Sequence, residues 1–268
     1  MQVIVLTGAS EGIGAEMARQ LAQRQGQQLA LVLAARNVER LESVAHQCRA
    51  FGAQALVQRT DVGVESECRA LIQAAVQTYG RLDGLINNAG MSAHALLREV
   101  DDLGWYEQLM RINHWGAVWC THAALPHLLA SQGRLCAVSS LAGLVGVPGR
   151  TAYSATKFAM TGFFEALRAE LAGTGVSVTT AYPGVVDTEI RRRGYNAAGQ
   201  PAGKSGLDER GAMPVDTCAR LILDALEQRR REVVMTAQGR LGRWLKLLAP
   251  GLVDRMALAA LHQDARPR

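Results

Sequence analysis

Thr7-Gly8-Ala9-Ser10-Glu11-Gly12-Ile13-Gly14 closes an apolar run that begins at Val3 and opens a stretch of helical periodicity reaching about Arg24. Glycine lets the chain turn where a Cβ would block the approach of a second backbone or of a phosphate. The first turn of the helix then offers unpaired N–H groups and the positive end of its dipole to an anion. Strand, glycine turn and helix in this order predict the phosphate corner of a dinucleotide site, formed by Gly8, Ser10, Glu11, Gly12, Ile13 and Gly14. The spacing is G-x-x-x-G-x-G and not the commoner G-x-G-x-x-G, so the motif alone is also compatible with a purely structural turn.

Outward from this turn, short β-rich runs alternate with longer helical stretches. Strands are expected at Val3–Thr7, Leu29–Ala34, Ala55–Val57, Leu82–Asn87, Gly133–Ser139, Val176–Ala181 and Arg231–Met235. Helices are expected at about Gly12–Arg24, Val38–Phe51, Glu65–Tyr79, Asp102–Ala130, Tyr153–Leu171 and Cys218–Gln228. Alternation of this kind implies parallel strands joined by right-handed crossovers. The strands read as nearly continuous apolar runs, as they do when helices cover both faces of a sheet. The expectation is one doubly wound α/β domain over residues 1–239, with a parallel seven-stranded sheet. Residues 191–214 are glycine-rich and poorly patterned, and read as a long functional loop. Residues 240–268 form an amphipathic, basic C-terminal extension.

The end of the second strand decides between the two nicotinamide dinucleotides. Roughly 20 residues after the turn, an acid usually meets the ribose 2′-hydroxyl of NAD. Here the chain reads Leu33-Ala34-Ala35-Arg36-Asn37, with no acid between Gln27 and Val38. Arg36 offers the planar donors that match a phosphate, which favours NADP over NAD.

The reactive chemistry is expected at Tyr153-Ser154-Ala155-Thr156-Lys157. Spacing i, i+4 puts Tyr153 and Lys157 on one helix face. A phenol titrates near 10 and is a poor base at neutral pH, but a neighbouring ammonium favours its phenolate. Such a tyrosine can protonate a carbonyl oxygen or accept the proton of an alcohol. Ser140 follows the fifth strand, at the sheet end where doubly wound folds bind ligands. Asn113 lies inside a long, mostly apolar helix, where a buried amide needs partners. It is expected to support a water that links Lys157 to solvent.

Composition narrows the alternatives. The chain has 268 residues, 49% of them hydrophobic and 20% charged, which is ordinary for a globular protein. The net charge is +5, with clusters at Arg191–Arg193, Arg229–Arg231 and in the tail. No basic run is interleaved with aromatics and no Cys/His zinc spacing occurs, so neither a nucleic-acid module nor a metal site is expected. Five scattered cysteines without a CxxC suit reduced thiols in the cytoplasm, and the glycine turn begins too early for a signal peptide. In 241–261, Trp244, Leu245, Leu247, Leu248, Leu252, Val253, Met256 and Leu258 mix with Arg243, Lys246 and Arg255 around Pro250-Gly251. Packing on the domain or on a second subunit is favoured for this segment over shallow attachment to a membrane.

Together these pieces resemble the short-chain dehydrogenase/reductase family, over roughly Val3 to Met235. The matching motifs are the Thr7–Gly14 turn, Asn87-Asn88-Ala89-Gly90, Asn113, Ser140, Tyr153 with Lys157, and Pro183-Gly184 after the sixth strand. The resemblance implies a Rossmann-type fold and a small-molecule carbonyl or alcohol as substrate. It implies that Tyr153 is the acid/base, that Lys157 binds the nicotinamide ribose and lowers the Tyr153 pKa, and that Ser140, not Ser139, orients the substrate. Asp61 and Val62 would contact the adenine, and Asn88, Ala89 and Gly90 the adenine–ribose side. Pro183, Gly184, Val186 and Thr188 would hold the carboxamide. Relatives that prefer NADP often carry a basic residue just before the middle glycine, where this chain has Glu11. Residues 191–214 would cap the substrate. A homodimer or homotetramer joined through the long helices is also implied. Two other readings stay open: a dinucleotide-binding regulator without turnover, and a nucleotide-sugar epimerase, although few residues remain after Met235 for the larger C-terminal domain such epimerases carry.

Overall fold

A computed structural model describes residues 1–205 and 209–264. Residues 206–208 of the expected substrate loop and 265–268 at the end of the basic tail lie outside the described residues.

Strand β1 (Gln2–Thr7) is almost wholly buried, because its neighbours pair on both edges and helices cover both faces. The sheet contains β2 (Leu29–Ala35), β3 (Gln54–Arg59), β4 (Gly84–Asn87), β5 (Arg134–Val138), β6 (Ser177–Tyr182) and β7 (Glu232–Val234). All seven strands are parallel, in the order β3-β2-β1-β4-β5-β6-β7. The order reverses between β1 and β4, which opens a crevice at their carboxyl ends. The glycine turn leaves β1 on one side of that crevice, and Asn88-Ala89-Gly90 leaves β4 on the other.

Two apolar clusters sandwich the sheet. One contains α1 (Gly12–Gln25), α2 (Val38–Ala50) and α8 (Val215–Glu227), with Met17, Leu21, Leu41 and Ile222 against Leu31 and Leu33. The other contains α3 (Glu65–Tyr79), α5 (Gly116–Ser131) and α6 (Thr151–Glu170), with Leu71, Cys120 and Phe164 against Val5, Leu85 and Leu135. Residues 30–34 of β2 alternate strictly between the two clusters, which is the period-2 signature of a strand buried on both faces.

The structure differs from the expected element bounds at several points. The long helix expected over about 102–130 is α4 (Gly104–Met110), a π turn over Arg111–Trp115, and α5. The π turn inserts one extra residue per turn and carries Asn113, so the helical pattern runs on while its hydrogen bonding shifts. The segment 191–214 is not patternless: α7 (Ile190–Arg193) is followed by bridges that pair Tyr195 with Ala93 and Pro201. The C-terminal extension is two helices, α9 (Ala237–Leu248) and α10 (Pro250–Asp264), split where Pro250 cannot continue the first. One edge of α9 packs on the domain: a Cβ on Gly239 would lie 2.3 Å from Leu141, and Lys246 Nζ donates to the Leu144 carbonyl at 3.1 Å. Its other edge leaves Leu241, Trp244, Leu247 and Leu248 exposed. No helix among the described residues is long and apolar enough to cross a membrane.

Candidate active site

The glycine turn is shaped by close approach. Gly8 has φ +67°, and a Cβ there would lie 2.8 Å from Ala89 Cα. A Cβ on Gly14 would lie 2.1 Å from the Gly8 carbonyl oxygen, so only glycine lets α1 start so near the turn. Asn88 secures the far side. Its amide donates to the carbonyls of Thr7 and Gly8 at 3.1 and 3.2 Å, and the N–H groups of Asn88 and Ala89 both donate to Thr7 Oγ1 at 3.0 Å. The Asn88 side-chain amide therefore holds the turn itself. Within the glycine turn, Thr7 carries no signal of its own in the sequence, because a threonine ending a strand looks like ordinary β-propensity.

No side chain caps the N-terminus of α1, where Glu11 is extended and Gly12, Ile13 and Gly14 begin the helix with Ser10 alongside. Free N–H groups in a glycine cradle fit a pyrophosphate. Around this corner, Arg36 is exposed after β2. Asp61 folds its carboxylate back onto Gly63 N–H at 2.9 Å, and Val62 is buried beside it. Thr188 stands over the turn, 3.3 Å from where a Gly12 Cβ would be. Pro183 accepts from Leu141 N–H at 3.0 Å, Gly184 lies against Thr236, and Val186 is buried. Glu11 turns its carboxylate to Arg40 and to Arg193 of α7, so it faces two guanidinium groups and not an open phosphate position.

The same pairing settles the arginine run. Arg191 binds Glu209 at 2.7 Å, Arg192 binds Glu189 at 3.3 Å, and Arg193 binds Glu11. These cations are engaged by acids of the protein.

Tyr153 and Lys157 lie on one face of α6, and both are buried. Lys157 Nζ is 5.7 Å from the centroid of the Tyr153 ring and donates to the Val138 carbonyl at 3.0 Å. The two adjacent serines after β5 diverge. Ser139 is buried and donates to the Lys157 carbonyl at 3.3 Å, which ties β5 to α6. Ser140 lies on the Tyr153 side, where its hydroxyl favours the phenolate, and it accepts from Ala142 N–H at 3.2 Å. Burial pushes the Tyr153 phenol up, but the Lys157 ammonium, the Arg150 guanidinium, the Ser140 hydroxyl and the Arg191 guanidinium outweigh it and hold the group below its ordinary value. Burial likewise lowers Lys157, partly opposed by Tyr153 and reinforced by Arg150.

Asn113 is fully buried in the π turn. Its Oδ1 accepts from Met91 N–H at 2.7 Å, and its Nδ2 donates to the Met91 carbonyl at 2.9 Å and to Thr156 Oγ1 at 3.0 Å. Both amide hydrogens are thus used in joining the chain after β4 to α6. Gly90 lies between them: a Cβ there would be 3.2 Å from Asn113 Oδ1 and 3.7 Å from Lys157 Nζ. The site brings together a phosphate corner, a paired phenol and ammonium, and an apolar wall made of Ala93, Ala95, Ala142, Trp105 and Tyr195 around Tyr153. That combination suits proton exchange with an oxygen of an apolar molecule beside a bound dinucleotide.

Comparison with known proteins agrees with this geometry. The short chain dehydrogenase family profile matches residues 2–198. The 11-beta-hydroxysteroid dehydrogenase A of Sesamum indicum is 35% identical over 259 residues, covering 94% of this chain and 73% of that protein. Dehydrogenase/reductase SDR family member 7 of Mus musculus is 34% identical over 237 residues, covering 86% of this chain and 69% of that protein. Among solved structures, an alcohol dehydrogenase from the archaeon Thermococcus sibiricus, complexed with 5-hydroxy-NADP, superposes with a TM-score of 0.75 at 26% identity, over 87% of this chain and 95% of that one. The chain belongs to the short-chain dehydrogenase family and is an oxidoreductase that uses a nicotinamide dinucleotide.

Proposed function

We propose that the protein is an NADP(H)-dependent carbonyl reductase, or the reverse alcohol dehydrogenase, in which Tyr153 is the acid/base. The observation that carries this reading is the Tyr153 phenol, buried between cations and the Ser140 hydroxyl, with its titration held below the ordinary value. The glycine cradle and the uncapped start of α1 would hold the pyrophosphate, and Arg36 the 2′-phosphate of NADP. Asp61 and Val62 would line the adenine, Ala89 and Gly90 the ribose side, and Pro183, Gly184, Val186 and Thr188 the carboxamide. Lys157 would hold the nicotinamide ribose. When bound, the reduced nicotinamide supplies the hydride for the carbonyl carbon.

The chain's own residues manage the oxygen and its proton. Ser140 positions the carbonyl oxygen by a hydrogen bond. In reduction the Tyr153 O–H bond breaks and its proton goes to that oxygen. In oxidation the phenolate takes the alcohol proton back. Lys157 stabilises the phenolate in both directions. Asn113, whose amide joins the chain after β4 to α6, would support proton return by holding the surroundings of Lys157 in place. The alanine-lined wall around Tyr153 favours an apolar ketone or aldehyde over a highly charged one. The steroid dehydrogenase named among the relatives points the same way. The exposed Trp115 at the end of the π turn and the half-buried Trp119 of α5, which stack at 5.9 Å, support a homo-oligomer joined through this helix.

The test is oxidation of NADPH, followed by its absorbance, against a panel of ketones, aldehydes and quinones. Tyr153→Phe is expected to lower turnover by about 100-fold or more, the usual range for a lost general acid, with NADPH affinity nearly unchanged. Full activity in that variant rejects the mechanism. Reduction should also weaken as pH rises through the lowered Tyr153 titration, and oxidation should strengthen over the same interval.

A further inference from the structure

Arg150 precedes α6, and in sequence it looks like a surface cation at a helix start. The structure gives it another setting. It occupies the N-cap position of α6, yet its side chain caps nothing. The guanidinium folds back over the catalytic tyrosine, with Cζ 4.1 Å from the Tyr153 ring centroid. Two further bonds keep it there: Nε donates to the Ala93 carbonyl at 3.2 Å, and Nη2 donates to Ser92 Oγ at 2.6 Å. The backbone is equally tied, with Arg150 N–H bonded to the Val147 carbonyl and Ala95 N–H to the Gly149 carbonyl. No carboxylate forms an ion pair with Arg150 among the described residues, so its charge is directed at the phenol ring.

We propose that Arg150 is a second cationic positioning residue for Tyr153, which orients the phenol ring and stabilises the phenolate from the ring face while Lys157 acts along the helix. The proposal rests on the reading of Tyr153 as the acid/base. A guanidinium over an aromatic face is attracted by the ring's negative π-cloud, and removing the phenolic proton makes that cloud more negative. The cation therefore favours the phenolate over the phenol. The charged and polar groups acting on Tyr153 are Lys157 on α6, Arg150 before it, Ser140 after β5, and Arg191 on α7. Of these, Arg150 has its charge closest to the ring among the measured contacts, 4.1 Å against 5.7 Å for Lys157. The anchoring through Ser92 and Ala93 also links the ring to the chain after β4. A movement of that segment would be felt as a change in Tyr153's acidity.

The test needs neither substrate nor cofactor. The ultraviolet phenolate band is titrated in the folded protein, and the Tyr153→Phe titration is subtracted to isolate Tyr153. Arg150→Met keeps apolar cover over the ring and removes the charge, and the Tyr153 titration should rise by about one pH unit. Arg150→Lys keeps the charge and should raise it less. Ser92→Ala leaves every charge in place, frees one end of the fork, and should give the smallest rise. An unmoved titration in folded Arg150→Met overturns the proposal, as do equal rises in Arg150→Met and Arg150→Lys. If Arg150→Met does not fold, a rise in Ser92→Ala smaller than in Arg150→Lys supports it and none in either overturns it. A protein that fails to oxidise NADPH with any carbonyl would count against the proposed reaction but leave this titration readable.

Discussion

At the scale of single residues, charge decides most of the site's behaviour. Tyr153 is buried, which by itself would make it a weaker acid, and neighbouring cations reverse the sign. Arg36 and Glu11 pose the comparable question for the cofactor. On the proposed reading, Arg36→Asp raises the KM for NADPH about tenfold or more and that for NADH much less, because a lost phosphate contact of about 1.5–3 kcal/mol is replaced by repulsion. Steady-state kinetics with both cofactors measures this, and equal changes reject the NADP preference. Glu11 sits where a basic residue is common in NADP-preferring relatives, but its carboxylate is engaged by Arg40 and Arg193. Both pairs are half exposed, so each is worth only about 0–1 kcal/mol. Glu11→Gln should therefore leave the thermal midpoint almost unchanged while lowering the KM for NADPH, since it frees two cations beside the cleft. Arg36 was legible because an arginine stands where an acid is otherwise expected. Arg150 was not, because nothing local distinguishes an arginine that folds inward from one that is solvated.

At the scale of elements, close approach and shifted hydrogen bonding matter more than charge. Gly14 is where α1 meets the glycine turn, and the 2.1 Å gap to the Gly8 carbonyl leaves no room for a methyl group. Gly14→Ala should force the helix back, at a cost of about 1–3 kcal/mol in stability, and weaken dinucleotide binding as measured by cofactor fluorescence. The π turn is the second such element. Asn113→Leu leaves the partly buried N–H and carbonyl of Met91 without side-chain partners. About 1–3 kcal/mol is expected for each stranded group, visible as a lower denaturant midpoint. The helix containing Asn113 was plain from its apolar periodicity. The π turn was not, because one extra residue in a turn leaves that periodicity nearly intact.

At the scale of the whole molecule, the C-terminal extension and the cysteines can be tested directly. Helix α9 lies against Leu141 and Leu144, just after Ser140, and its Lys246 also lies 4.6 Å over the Phe158 ring. Removing residues after Thr236 should lower the thermal midpoint by about 5 °C or more and reduce turnover, because Ser140 loses its backing. Unchanged turnover would show that α9 serves only its exposed apolar edge. All five cysteines are buried and free, and burial pushes Cys48 up to about 11 and Cys136 and Cys218 up to about 12. Little thiolate exists at neutral pH, so native protein should resist alkylation and the denatured chain should react fully. The sequence by itself determined the doubly wound sheet, the glycine turn and the order of Ser140, Tyr153 and Lys157, because period-2 and period-3.6 patterning and glycine steric freedom are local properties. Only the tertiary structure decided that Ser139 binds backbone while Ser140 meets Tyr153, that Glu11 faces Arg40 and Arg193, and that Arg150 covers the ring. Each of these depends on which side chains from distant strand ends converge on the same few ångströms, and that is set by the register and twist of the sheet, not by neighbours along the chain.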